Sequence, residues 1–343
     1  MAYTTIDDPA QYFNTVLYTG NDSTQSITGV GFQPDFVWKK ERDSTSGHQL
    51  TNAVRGTGRI LRTGNTDAEL VNAQKLTSFD NDGFSLGSNK AVNQSGISYV
   101  SWNWLAGNSA SSNSDGDITS SVSANTTAGF SIGTFTKGSG TQTVGHGLGK
   151  KPTVFWVKRT DGTGSWYVYH DKNTGAPETD YLRINSTDGT ADNATVWGDT
   201  APTSSVFSIS TAFNSSEELV FFAFTDIKGY SKFGSYTGNG DADGTFVYTG
   251  FRPAWLLVKD TGGNGENWEL LDATRSPFNV ADERLKANSS DAESTGSNYF
   301  LDFLSNGFKQ RNSQTSSNGS GETYIYMAFA ESPFVNSNGV PTN

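Results

Sequence analysis

Three times along this chain a Gly/Pro turn is followed by a β-branched and aromatic run that reaches a lysine six residues after the proline. The first copy is Gly31-Phe32-Gln33-Pro34-Asp35-Phe36-Val37-Trp38-Lys39-Lys40. The second runs from Gly147 through Pro152 and Trp156 to Lys158, and the third from Gly250 through Pro253 and Trp255 to Lys259. Glycine and proline punctuate turns, and the run behind them favours pleated backbone, so each copy predicts a turn feeding a strand. A unit of this kind recurring in order along 343 residues restricts the fold to a tandem array.

Other signals recur with it. A Phe-centred strand follows each copy at a nearly constant distance, at Phe84, Phe207 and Phe308. Each unit then closes on an apolar run with period two: Val100, Trp102 and Trp104; Val220, Phe222 and Phe224; Ile325, Met327 and Phe329. That period predicts strands with one face in the core, and Lys40 is read as the wet end of its strand. The aromatic content of 13% against 34% hydrophobic residues, with Gly, Ser, Thr and Asn between the apolar runs, suits short strands joined by turns. The fold expected is therefore all-β: three tandem antiparallel β-sandwich modules, jelly-roll-like, at residues 14–107, 129–228 and 229–334. An N-terminal docking leader (1–13), a Ser/Asn/Gly linker lying on the surface (108–128), with Ile118 and Val122 as its anchors, and a polar tail (335–343) complete the domain plan.

Composition also excludes function classes. The absence of cysteine removes disulfides, thiol catalysis and Cys-based zinc sites. A formal charge of −11 opposes a phosphate-backbone ligand, so no nucleic-acid partner is expected. The longest strongly apolar run, Leu219 to Phe224, is too short to span a bilayer, and no membrane insertion is expected. The first residues lack the basic and apolar regions of a secretory signal, which fits assembly in a reducing cytoplasm.

Motifs that suggest chemistry have structural explanations. Gly83-Phe84-Ser85-Leu86-Gly87 and Gly129-Phe130-Ser131-Ile132-Gly133 match the nucleophile-elbow pattern, but both sit at turn-to-strand positions and not between a strand and a helix. His48, His146 and His170 share no metal-ligand spacing. The acidic turns at Asp80–Gly83, Asp115–Asp117 and Asp241–Gly244 lack the full calcium loop, and Gly145–Lys151 lacks the Lys-Ser/Thr ending of a phosphate loop. No catalytic residue, cofactor or metal is predicted; for glycoside hydrolysis, which needs paired carboxylates, Asp171 and Glu178 are scattered candidates. The tryptophans of the recurring strands are assigned to the core. Trp197 falls outside the recurrence, in a Ser/Thr/Asp-rich loop, and with Asp192 and Asn193 is the candidate host or glycan contact. Ile6, Tyr12 and Phe13 are the candidate docking residues of the leader.

The stretches Ile27–Trp38, Leu76–Gly87 and Tyr99–Gly107, the linker Asp117–Ile132, the turn Thr143–Gly149 and the close Tyr324–Phe334 together resemble a domain of unknown function recurrent in virion proteins of marine bacteriophages, cyanophages among them. The resemblance implies a non-enzymatic structural protein, foremost a tail fibre or appendage component contacting the host surface, with Ile6, Tyr12 and Phe13 as its particle-docking residues and Trp197, Asp192 and Asn193 as its host contacts. It implies other virion proteins and further copies of itself, in threes, as partners, with a host glycan or receptor beyond them. A capsid-decorating protein and a carbohydrate-binding or polysaccharide-depolymerising module are the alternatives. The family carries no established catalytic residues to transfer.

Overall fold

The structure, a computed structural model, describes residues 3–296 and 301–342; the outermost residues of the leader and tail, Met1, Ala2 and Asn343, lie outside it. The described residues form an all-β fold of antiparallel sheets, with two four-residue helices and one 3-10 turn. Three large sheets dominate. In the first, the strands Phe13–Thr19, Ser98–Trp104, Phe36–Glu41 and Gln49–Asn52 lie side by side in that order. In the last, the order is Ser231–Thr237, Thr323–Pro333, Phe251–Asp260, Trp268–Asp272 and Leu285–Lys286. The middle sheet has Phe130–Thr136, Glu218–Phe224, Val154–Arg159, Trp166–His170 and Asp180–Arg183 at its centre and is extended at both edges. In each, an early strand pairs with the closing one: Thr15 lies opposite Trp102, Ile132 opposite Phe222, and Phe233 opposite Met327.

The turn ahead of each recurring strand explains its glycine. Three residues before the proline, Gly31, Gly149 and Gly250 have φ of +87°, +67° and +85°, a region that strains any residue with a Cβ. Beyond the turn, the large sheets differ from the one-sided strands that the period of two predicts. Phe36–Glu41 is buried at every position, Lys39 and Lys40 included, and both faces are covered. One face packs on a smaller sheet of the same segment. Val37 and Tyr99 meet Phe84 and Leu86 in the first, Phe155 and Phe221 meet Phe207 in the second, and Val258 and Tyr326 meet Phe308 in the third.

The opposite faces of all three large sheets meet in one central core. Trp38 lies 5.6 Å from Trp102, 6.0 Å from Trp156 and 6.4 Å from Trp255. Phe36 reaches Phe222 at 4.7 Å, and Phe224 reaches Phe329 at 6.1 Å. Such ring pairs add about 0.5–1.5 kcal/mol each beyond the area they bury. Phe36 and Trp38 thus face a core shared between sheets more than one hundred residues apart in sequence.

Two outer stretches differ from expectation. Residues 108–128 are not a surface linker: Ser111–Asn113 pairs with Ser120–Asn125, which pairs with Phe130–Thr136. An edge strand with a wet outer face needs few apolar residues, and Ile118 and Val122, both buried, supply them. The leader likewise belongs to the fold. Ile6 and Phe13 are each only 2% exposed, with Phe13 4.8 Å from Trp104 and 5.2 Å from Phe329, and Tyr12 lies 5.9 Å from Tyr230. Their apolar surface closes the central core, so these three side chains are not a free arm for particle docking.

Candidate functional sites: three seams and an open groove

The large sheets are joined at three seams by hydrogen bonds of the same kind. Between first and second, the Trp166 indole donates to the Arg62 carbonyl at 2.8 Å, the Glu69 amide to the Thr160 carbonyl at 2.9 Å, and Lys158 to the Thr66 carbonyl at 3.2 Å. Between second and third, Trp268 donates to the Arg183 carbonyl at 2.9 Å, the Thr190 amide to Thr261 at 3.0 Å, and Lys259 to Thr187 at 3.1 Å. The third seam returns to the first sheet, where His48 Nε2 lies 3.0 Å from the Lys286 carbonyl and the Glu293 amide donates to Arg42 at 2.8 Å. Trp38 Nε1 donates to His48 Nδ1 at 2.7 Å, which leaves the ring neutral with its proton on Nε2. Burial, and Lys40 nearby, push the pKa of His48 down to about 3.

The lysines that close the recurring stretch sit inside these seams and not at a wet strand end. Lys158 donates to the Gly164 carbonyl at 2.8 Å, Lys259 to Glu266 at 2.8 Å, and Lys40 to Glu41 at 2.5 Å. Burial pushes all three down to about 8. The third seam also holds a buried ion cluster. Arg275 binds Asp272 at 2.5 Å and Glu293 at 2.8 Å, Arg42 binds Glu293 at 2.6 Å, and the Trp102 indole donates to Asp272 at 2.9 Å.

The residues singled out in sequence fall elsewhere. Trp197 is 1% exposed; its short helix, Ala194–Trp197, folds back so that the indole donates to the Asp180 carbonyl at 2.9 Å and packs 4.8 Å from Phe155. It is a core residue and cannot be a host contact. Asp192 and Asn193 stay exposed, and the Asn193 side chain caps that helix through the Thr195 amide. Ser85 bonds Asp80 at 2.7 Å, and Ser131 is buried in its strand. His146 faces the Thr203 carbonyl at 3.3 Å and His170 the Tyr326 carbonyl at 3.2 Å. Asp82 accepts the amides of Gly29 and Gly31, fastening the first recurring turn. Asp171 is paired with Lys151 and Lys172 at 3.0 and 2.9 Å. Among the described residues no three His, Cys, Asp or Glu are grouped as metal ligands.

Open space lies beside the first seam and at the passage from the second segment to the third. A cleft of ≈ 610 Å³ beside the first is lined by Ser121, Thr134 and Thr136 and by Arg55 and Arg59, both salt-bridged to Glu69. Where the second segment passes into the third, two grooves meet at Asp226. One, of ≈ 600 Å³, is lined by Tyr3, Thr5, Thr126, Lys150 and Lys228. The other, of ≈ 430 Å³, runs between the strands Ser231–Thr237 and Phe246–Tyr248 and is lined by Lys172, Lys232 and Ser235. Strand alternation buries Val247 and turns Phe246 and Tyr248 outward, 45% and 54% exposed. The Tyr3 and Tyr248 hydroxyls lie 3.0 Å apart, and Lys228 Nζ sits 4.3 Å over the Tyr3 ring. Asp226 accepts the Phe233 amide at 2.9 Å, and burial pushes its carboxyl up to about 6 against the pull of Lys232.

Fold and seams together define a closed all-β protein whose three large sheets share one aromatic core. The chain belongs to the family described as a domain of unknown function, DUF7483, whose match spans residues 8–333. No curated protein matches it.

Proposed function

We propose that the chain is a non-enzymatic structural protein of a bacteriophage virion, foremost a tail fibre or appendage component, built from three tandem β-sandwich modules closed into a ring. The observation that carries this reading is the use of its reactive side chains. The histidines and the buried Lys40, Lys158 and Lys259 hold backbone carbonyls, and the elbow serines lie in strands. Groups that other folds present to a substrate are here tied into the framework, His48, His170, Lys158 and Lys259 across sheets, as a load-carrying part requires. Support for the ring of modules comes from the matched seam contacts: an indole or imidazole reaches the carbonyl of Arg62, Arg183 or Lys286 in turn. Other virion proteins and further copies of the chain are its partners in this reading, and the motif resemblance supplies the particle.

The test is to locate the protein in purified particles by reconstruction or by antibody labelling. Density at the tail supports the appendage reading, and density at capsid symmetry points replaces it with capsid decoration. A protein absent from particles overturns the virion assignment. Release of reducing ends from polysaccharide by the pure protein overturns the non-enzymatic one.

A further inference from the structure

We propose that the paired grooves meeting at Asp226 bind an anionic saccharide, a chain of sugar rings carrying carboxylate or sulfate groups. The inference stands on the groove itself and does not depend on the virion reading.

Charge is the first ground. In a chain of net charge −11, five lysines gather around this junction: Lys150, Lys151, Lys172, Lys228 and Lys232. Opposite them stand Asp171, which is paired, and the partly buried Asp226. Lys172, paired with Asp171, and Lys232, 3.9 Å from Asp226, each keep about half of their side-chain surface exposed and so can also reach a ligand. A local positive field within an acidic molecule selects an anionic partner.

The second ground is apolar. Phe246 and Tyr248 present two rings side by side on one strand face, exposed to water where burial would have stabilised the fold. Tyr3 extends this wall, held by its hydroxyl contact with Tyr248 and by Lys228 over its ring. Rings fixed in place meet the flat C–H faces of a sugar at little entropic cost. Hydroxyls of Thr5, Thr126 and Ser235 line the remaining walls as acceptors and donors for sugar hydroxyls.

A neutral glycan fits less well, having no use for the lysines. Single-stranded nucleic acid can also stack on the rings and meets the same carboxylates as an anionic sugar, so a thymidine decamer is carried as a competitor in the test. The cleft at the first seam is different in kind: Arg55 and Arg59 share Glu69, Glu218 also lines the cleft, and it offers no exposed ring pair.

The experiment is calorimetric titration of the full chain with a galacturonate hexamer and a chondroitin sulfate hexamer, against a neutral cello-oligomer and a thymidine decamer, at low and high salt. At least one anionic sugar is expected to bind, more weakly at high salt. Tyr248→Ala and the pair Lys172→Glu with Lys232→Glu should each lower affinity about tenfold or more at unchanged melting temperature, whereas Arg59→Ala leaves it unchanged. If Tyr248→Ala loosens the leader and lowers the melting temperature, Phe246→Ala, which leaves the Tyr3 contact in place, carries the same expectation. Failure of both anionic sugars to bind overturns the proposal. So does affinity undiminished in the groove variants, or tighter binding of the neutral sugar or the decamer.

Discussion

Lys39 is a cation in the wrong place. It is 1% exposed, its ammonium 5.5 Å over the Phe84 ring and without a hydrogen-bond partner among the described residues. Burial, with Lys75 nearby, pushes its pKa down to about 7 from an ordinary 10.5. Between those values the unfolded chain binds a proton that the folded one does not, so stability rises with pH across that interval and the cost of folding is fully present below pH 7. Lys39→Met should therefore stabilise the protein by about 1–3 kcal/mol at pH 7, and urea titrations from pH 7 to 10 should show a flatter slope for the variant. A less stable variant would mean that the amine is solvated or paired. Glycines sort by the same local reasoning. At Gly31 a Cβ finds only the Ala10 carbonyl at 3.7 Å, so Gly31→Ala costs only the strain of a positive φ, about 1 kcal/mol. At Gly83, φ +142°, it would meet the Ile27 carbonyl at 2.0 Å, and Gly83→Ala should cost about 3 kcal/mol. The two denaturation midpoints give the comparison. The sequence makes Gly31 readable through its proline, but the close approach at Gly83 depends on a neighbour far along the chain.

Seams give the elements their pH response and their weak points. His48 has its pKa lowered to about 3 and His170 to about 4, both by burial first. Below pH 6.5 the unfolded chain takes up these protons while the folded one refuses them, so stability falls as pH drops toward 4. His48→Gln keeps a donor for Lys286 and an acceptor for Trp38 but does not titrate, and it should shallow that acid limb when melting is followed from pH 7 to 4. At the same seam, Arg275→Met strands the fully buried carboxylate of Asp272, while Glu293 keeps Arg42, at a cost of about 3–5 kcal/mol measured by chemical denaturation. The recurring strand and its turn were legible because glycine, proline and alternating aromatics encode them locally. The strands within 111–125 were not, since an edge strand of Ser, Asn and Thr has the composition of a linker. Lys40, Lys158 and Lys259 look like strand ends for a related reason: a lysine's polarity does not reveal the backbone carbonyls folded around it, those of Thr66 and Thr187 coming from another segment.

At the scale of the molecule, one core serves three sheets, so removing any sheet bares the aromatic faces of the other two. Unfolding should be a single cooperative event, with calorimetric and van't Hoff enthalpies in agreement; three resolved transitions would contradict the shared core. Residues 129–228 expressed alone should expose Trp156, Trp166 and Phe222 and bind a hydrophobic dye. The sequence assigned those residues to a core but could not say which, because period two names a face and not its partner. The groove at Asp226 was unreadable for the same reason, its lysines coming from 150–172 and 228–232 and its rings from 246–248. The shared core also sets an order of events during synthesis. Its last strand, Thr323–Pro333, leaves the ribosome about a hundred residues after Glu218–Phe224 completes the middle sheet, roughly 5–20 s at ordinary elongation rates. Throughout that interval the nascent chain carries two finished but uncovered aromatic walls, and its yield in the cell depends on what shelters them.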